Sequence, residues 1–338
     1  MSKKILYLTR TEIESLLEIK DVLEYAEEAF KLFGQSQKGN AHASFAPLVA
    51  YHTRVPNSDI DYRSGTMDPI PTIMSTQGYG YGDNMKKHGI PNVYAIGLLA
   101  DLETGVPLAI MDAYYISFIR TAAAEVVASK YLAKKDAEVI TFIGCGGLAK
   151  LTLKCHLAHF KNVKEIRCWS RTELTSKNFV DEMSKELNIT IKQCDNAKDA
   201  TQNSDIIYCN TRSREAIVMN DWLSNGVLIN SFGSDASGKQ ELDPTIFNRS
   251  KIIVDSLAQC KIGGDIHKSI LNGTLKDKDV YGEFGEIVNG WKQGRENDNE
   301  IIVMDSTGVA ALDIVTSYKT YQKAQEKGIG IQLDHLSF

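Results

Sequence analysis

No stretch of this chain is apolar enough to span a bilayer: the roughly 18 consecutive apolar residues that a crossing needs occur nowhere in its 338 residues. Positive charge is not in excess either. With 38 Lys and Arg against 43 Asp and Glu, the net charge is −5, which argues against nucleic acid as a partner. The six cysteines, at 145, 155, 168, 194, 209 and 260, form no C-x-x-C pair, so neither a disulfide framework nor a zinc site is expected. They read as small buried hydrophobes in a reducing compartment. The seven histidines lack ligand spacing; His156 and His159, three apart on a helix, read as surface residues, and no metal is expected. The first ten residues turn polar too soon for a signal peptide, so a cytoplasmic location is expected. Internal repeats and low-complexity segments are also missing.

What is present is 43% hydrophobic and 24% charged, the balance of a globular protein long enough for two domains. The most informative segment is Glu138-Val-Ile-Thr-Phe-Ile-Gly-Cys-Gly-Gly-Leu-Ala149. A strand-like apolar run enters a glycine-rich turn, and a helix-prone segment follows. Gly144, Gly146 and Ala149 stand at the spacing G-x-G-x-x-A of a dinucleotide fingerprint. Gly144 permits the tight turn, Gly146 lets backbone N–H groups approach a pyrophosphate, and Ala149 allows close helix–strand packing. Gly147 and Leu148 open the helix, whose N-terminus is a ready anion site.

Elsewhere, Thr11 to Gly34 has helical periodicity, with Thr11 as cap and Glu14 three residues on. Residues 44–76, interrupted by Pro47, Pro56, Pro69 and Pro71, suggest antiparallel strands. Asn92–Leu102 and Pro107–Asp112 read as a hairpin, and Tyr114–Ala133 as a long helix. Strands expected at 138–143, 164–169, 205–210, 226–231 and 251–254, with helices between them, imply a parallel, doubly wound α/β sheet. Asp313–Lys327 reads as a final amphipathic helix. We therefore expect a Rossmann-type dinucleotide-binding domain at 133–312 and a smaller α+β domain from residues 1–132 with 313–338.

The second strand of the sheet ends Ile166-Arg-Cys-Trp-Ser-Arg-Thr172. Its tip carries Ser170, Arg171 and Thr172 and no carboxylate. A ribose 2′-phosphate wants a guanidinium and hydroxyls, and a carboxylate would repel it. NADP(H) is favoured, with NAD(H) possible; the alternative is that Arg171 only starts an exposed loop.

Together these segments resemble the ornithine cyclodeaminase/mu-crystallin family over nearly the whole chain. The resemblance rests on Gly97-Leu-Leu-Ala-Asp-Leu-Glu-Thr-Gly105, Ile119-Arg-Thr-Ala-Ala-Ala124, the Gly144 loop, Asn230-Ser-Phe-Gly-Ser-Asp-Ala-Ser-Gly-Lys-Gln-Glu-Leu242 and Met304-Asp-Ser-Thr-Gly308. It implies hydride transfer between nicotinamide and a nitrogen-bearing carbon beside a carboxylate. It implies that Arg120 grips that carboxylate and that Asp235 is the catalytic acid–base; a helix-surface ion pair and a plain turn aspartate are the competing readings. Thr211 and Ser306 resemble residues near the cofactor, with ordinary strand-end turns as equal competitors. The family's lysine before the Gly97 segment corresponds to Gln77, unless a gap brings Lys86 or Lys87 there, and Tyr79-Gly-Tyr-Gly-Asp83 would shape a different pocket. Arg63 is preferred over Arg54 as a second substrate-facing arginine. The smaller domain is then expected to bind substrate and to form a homodimer through its sheet.

The activity implied is an NADP(H)-dependent ketimine reductase or amino-acid dehydrogenase. Alternatives are an ornithine cyclodeaminase-type lyase that recycles NAD internally, and a non-catalytic NADPH-dependent ligand binder like the crystallin branch. Gln77 and the Ser170-Arg171-Thr172 tip count against the lyase; retention of Asp235 counts against the binder.

Overall fold

The computed structural model describes residues 4–46, 49–55, 58–80, 85, 87–91 and 93–334. Pro47, Pro56, Tyr81, Gly82, Asp83, Lys86 and Asn92 lie outside the described residues. The chain forms two compact units, Met1–Arg120 with Ala310–Phe338, and Thr121–Val309.

The first unit begins with β1 (Lys4–Leu8), α1 (Arg10–Leu16) and α2 (Ile19–Gln37). The single helix expected from Thr11 is thus two, and the cap is Thr9. Glu12 supplies the return bond to the Thr9 backbone at 2.8 Å, which completes a capping box one half-turn earlier. Extended Leu17 separates the two helices. Then follow β2 (Ala43–Phe45), β3 (Val49–His52), β4 (Asp59–Met67), β5 (Ile70–Gly80), β6 (Val93–Asp101) and β7 (Pro107–Asp112). The antiparallel β6–β7 pairing is the expected hairpin. Helix α3 (Ala113–Leu132) comes next. It has neither Gly nor Pro, and the division between the units falls inside it, between Arg120 and Thr121.

The second unit alternates strand and helix through β8 (Val139–Ile143), α4 (Gly147–His159), β9 (Glu165–Trp169), α5 (Glu173–Leu187), β10 (Lys192–Gln193), α6 (Ala197–Thr201) and β11 (Ile206–Cys209). It continues with β12 (Leu228–Ser231), β13 (Ser250–Val254), α7 (Leu257–Gly263), α8 (His267–Leu271), β14 (Gly282–Glu283), α9 (Phe284–Val288) and β15 (Ile301–Asp305). All pairings are parallel, in the order β10-β9-β8-β11-β12-β15-β13-β14. The α/β expectation is borne out, with two differences. Only short 3-10 turns, at Asn220–Trp222 and Pro244–Asn248, stand where helices were expected around β12. Strand β15, from a hydrophobic run ending in Asp305, enters the middle of the sheet. Both faces are covered, so the central strands β11, β12 and β15 are buried along their whole length. All six cysteines are buried and unbridged.

Finally α10 (Ala310–Lys327) and β16 (Ile331–Asp334) rejoin the first unit, whose sheet runs β16-β1-β7-β6-β5-β4-β2, with β3 on β4. One face of that sheet is core: Leu8, Met74, Leu99, Ala109 and Met111 are buried, and α10 packs on β4, β5 and β6, α2 on β4 and α1 on β7. The opposite face exposes Tyr62, Tyr94, Ile96 and Leu98.

Candidate active site

In an open α/β sheet ligands bind outside the C-terminal ends of the strands, where strand order reverses. Here the chain leaves β8 to one side for β9 and returns on the other side as β11, and the Gly144 loop and Thr211 both lie at that reversal. Gly144 has φ +95°, and a Cβ on it would come within 2.6 Å of the Asn210 carbonyl oxygen and 2.8 Å of Thr211 Cγ2. Glycine is therefore required twice, by backbone conformation and by close approach. Gly146 differs: its φ is −82° and a Cβ there would meet nothing within 4 Å. Among the described residues, none fills the space beside it. Helix α4 starts at Gly147 with no side-chain cap, so its first N–H groups point outward as anion donors. Ala149 is fully buried, as close helix–sheet packing needs. The donor-lined cradle fits a pyrophosphate.

The second strand tip adjoins this loop, since Gly144 N donates to Trp169 O at 2.9 Å. Arg171 and Thr172 are exposed and Ser170 is half-buried. Thr172 is the N-cap of α5, yet its side chain makes no capping bond. Among these residues and the strand β9 tip there is no carboxylate to hold both ribose hydroxyls.

Asp235 lies in the loop after β12, with its side chain 45% exposed and ion-paired to Lys239. That loop is anchored by buried acids. Glu241 accepts Thr211 N at 2.6 Å and Gly233 N at 2.9 Å. Asp265 accepts Glu241 N at 2.8 Å, Leu242 N at 3.0 Å and Gln240 Nε2 at 2.9 Å. Asp305, at the end of β15, accepts the Asp265 and Ile266 amides at 3.0 and 3.1 Å. Ser306 is buried, and its hydroxyl donates to Asp255 at 2.7 Å; it supports this cluster rather than facing outward. On the loop's outer side, His267 Nδ1 donates to Lys261 O at 2.7 Å, and Nε2 is left to accept from Ser237 Oγ at 3.3 Å.

In the first unit, Arg120 is 4% exposed and its Nε donates to Asp313 of α10 at 3.3 Å. It is no surface ion pair: Ala122, Ala123 and Ala124 are fully buried too. Arg63 and Gln77 cannot serve one site together. Arg63 stands opposite Thr76, and Tyr62 opposite Gln77, so strand alternation puts Arg63 and Gln77 on opposite faces. Arg63 is on the face that α10 covers. Gln77 is on the other, where its Nε2 donates to Tyr62 Oη at 2.7 Å in the row Tyr62–Gln77–Ile96. Arg54 and Lys87 are exposed.

One sequence reading is overturned outright. His156 is buried, with Nδ1 2.7 Å from Tyr208 Oη, and burial lowers its pKa to about 3. Tyr208 also meets Ser129, which takes a bond from Asn230 Nδ2 at 2.9 Å. Glu125 joins this network through its backbone carbonyl, which accepts the Ser129 hydroxyl at 3.0 Å; its fully buried carboxyl accepts from Thr152 and, at 3.5 Å, from Asn210 Nδ2, and burial pushes it up to about 8. The signal for His156 was available: Ala149, Thr152, Leu153 and His156 are one helical stripe, and all are buried. A cavity of about 570 Å³ lined by Arg249, Ser250, Lys251, Tyr281 and Ile301 sits at the N-terminal ends of β13 and β15, the wrong end of the sheet for this chemistry.

The model of the ornithine cyclodeaminase/mu-crystallin family matches residues 3–328. The alanine dehydrogenase of Archaeoglobus fulgidus is 33% identical over 335 residues, 97% of this chain and 98% of that protein. An archaeal alanine dehydrogenase dimer with bound NAD superimposes with a TM-score of 0.90 at 34% identity, covering 98% of this chain and 99% of that one. The Δ1-pyrroline-2-carboxylate reductase of Thermococcus litoralis, in complex with NADH and L-proline, gives a TM-score of 0.90 at 34% identity, covering 97% and 99%. By the family model, the whole-chain relatives and the fold alike, the chain belongs to the ornithine cyclodeaminase/mu-crystallin family.

Proposed function

We propose that the chain is a nicotinamide-dependent oxidoreductase that interconverts C=N and CH–NH beside a carboxylate, as a ketimine reductase or amino-acid dehydrogenase with NADP(H) preferred. The redox reading is carried by the Gly144–Gly146 cradle, which among the described residues leaves open space beside Gly146 and a helix N-terminus with no side-chain cap. The choice of C–N chemistry follows the relatives, which act on alanine or on a cyclic imino acid by name. The preference for the 2′-phosphate rests on Arg171 and two hydroxyls at a tip without a carboxylate; NAD(H) is the alternative, since the two solved relatives carry NAD and NADH.

When bound, the nicotinamide supplies or takes the hydride. Arg120, with its geometry fixed by Asp313, would hold the substrate carboxylate through the terminal fork of the guanidinium. Arg63, on the same covered face as α10, is the better second arginine, and Gln77 is withdrawn from the substrate. Asp235, or a water it orients, would relay a proton to nitrogen as carbon receives hydride, and take it back in reverse. Thr211 would stand beside the cofactor where Glu241 fixes its backbone.

The exposed face of the first sheet also points to a homodimer. Tyr94 at 44%, Ile96 at 57% and Leu98 at 38% exposure make an apolar row along β6, with Tyr62 of β4 at 37% beyond Gln77, and a second copy would cover this face.

The test is oxidation of NADPH, with NADH in parallel, by a panel of cyclic imino acids and of α-keto acids with amines. Asp235→Asn should lower kcat by at least about 100-fold with the NADPH Kd unchanged, the loss typical of a missing acid–base group. Wild-type rates in that variant would remove Asp235 from the chemistry. Tight NADPH binding with no turnover on any substrate, ornithine included, would make the protein a binder.

A further inference from the structure

We infer that Glu241 is a positioning residue held as the neutral acid, and that its proton, donated to Ser231, locks the Asp235 loop onto the strand end at Thr211. The inference rests on the reading of Asp235 just given, and it begins with a count of hydrogens. Ser231 Oγ lies within hydrogen-bond distance of two carboxyl groups, Asp265 Oδ2 and, at 3.4 Å, Glu241 Oε2. A serine hydroxyl has one hydrogen. It can satisfy one of these oxygens as a donor, and two ionised carboxylates would leave the other contact repulsive.

The remaining partners decide which acid keeps the proton. Asp265 Oδ1 receives three N–H donors, from Gln240, Glu241 and Leu242, the surroundings that favour an ionised carboxylate. Glu241 receives two backbone donors, one on each oxygen, and is fully buried. The Ser231 hydrogen therefore goes to Asp265, and the contact with Glu241 becomes a bond when Glu241 itself donates to Ser231 Oγ.

The groups facing this pair are mostly acidic or neutral. Asp305 of β15 and Asp255 after β13 lie behind Asp265, while Cys209 of β11, Cys260 of α7 and Glu125 of α3 add no positive charge. Burial raises Asp265 as well, opposed by its hydrogen-bond donors and, least, by Lys268 of α8, the cation that acts on it. Burial, then the neighbouring Asp265 charge, push Glu241 up to about 8.

The carboxyl of Glu241 thus ties Thr211, after β11, to Gly233, after β12 and two residues before Asp235. The two segments are closely packed there, since a Cβ on Gly233 would come within 2.2 Å of Thr211 O. Ionising Glu241 keeps both accepted backbone bonds but sets two carboxylates against one hydroxyl, and the repulsion moves Oε2, with Gly233 bonded to it, away from Ser231. In the reductive direction kcat should fall about tenfold per pH unit above pH 8, the slope of one ionisation.

The experiment combines infrared spectroscopy in ²H₂O with pH profiles of kcat on the intact protein. The wild-type minus Glu241→Gln difference spectrum at pH 7 should contain the C=O band of a buried protonated carboxyl. That band should titrate away near pH 8 together with kcat, and the variant should lose this alkaline limb. Ser231→Ala, which leaves the acid in place and removes its acceptor, should move the band to higher frequency; it serves if the glutamine variant does not fold. A difference spectrum with carboxylate bands alone, or an unchanged limb in Glu241→Gln, overturns the inference. An active Asp235→Asn enzyme with the protonated band still present would sink the role of Asp235 and leave the Glu241 proton standing.

Discussion

Each unit is built on an eight-stranded sheet, but the two sheets expose different things. The parallel sheet of the second unit hides both faces, so its strands offer chemistry only at their C-terminal ends. There the backbone is held open at Gly146 and held tight by Glu241, Asp265 and Asp305. The antiparallel sheet of the first unit hides one face and leaves aromatic and aliphatic side chains in solvent on the other. Its apolar face is suited to association, and its covered face carries Arg63. The difference shows why the fingerprint glycines and the exposed isoleucine need opposite tests: one set fails when a side chain is added, the other when an apolar side chain is made polar.

The comparison breaks most sharply at Gly144. Gly144→Val combines a left-handed backbone with a contact that would fall at 2.6 Å, so NADPH affinity should drop by about 100-fold or more in a fluorescence titration. An unchanged Kd would show that the switch point is not the nucleotide site. The first sheet is probed by Ile96→Asp, which puts a charge in the exposed apolar row. Sedimentation velocity should show the dimer weakened by at least about tenfold while turnover per folded subunit is measured separately; an unaltered assembly would assign that face another role. The smallest effect is expected at the strand tip. Arg171→Ala should cost about tenfold in kcat/KM for NADPH and leave NADH nearly untouched, because a single exposed guanidinium acts only on the extra phosphate. Equal losses with both nucleotides would end the case for NADP preference.

Local spacing made part of this legible. Gly144, Gly146 and Ala149 could be read as a loop because strand, turn and helix signals coincide within a dozen residues, and the structure gives each glycine the surroundings that its type suggests. The strand–helix alternation was likewise local. What depends on pairing was not. Whether Arg63 and Gln77 share a face is set by the register of β4 on β5, which neither strand encodes alone. Thr9 and Thr11 both begin a T-x-x-E pattern, and only the reciprocal bonds between Thr9 and Glu12 show which one caps. The buried acids escaped notice because their partners are remote: Asp265 meets Ser231 and Leu242, and Asp305 meets the backbone of residues 265 and 266. An acid at the end of a hydrophobic strand gives no hint, by itself, that distant amides will surround it.

The buried cysteines have a practical consequence. Every cysteine sulfur is enclosed, and burial raises the thiols of Cys155, Cys209 and Cys260 beyond easy ionisation. The folded surface is therefore chemically silent toward maleimides, which react with exposed thiolates. A cysteine introduced at Ile96, or at Ser237 beside the Asp235 loop, would be the reactive position on an otherwise blank background. Spin labels or fluorophores could then report subunit association and loop motion from a chain that needs no prior removal of its own sulfur.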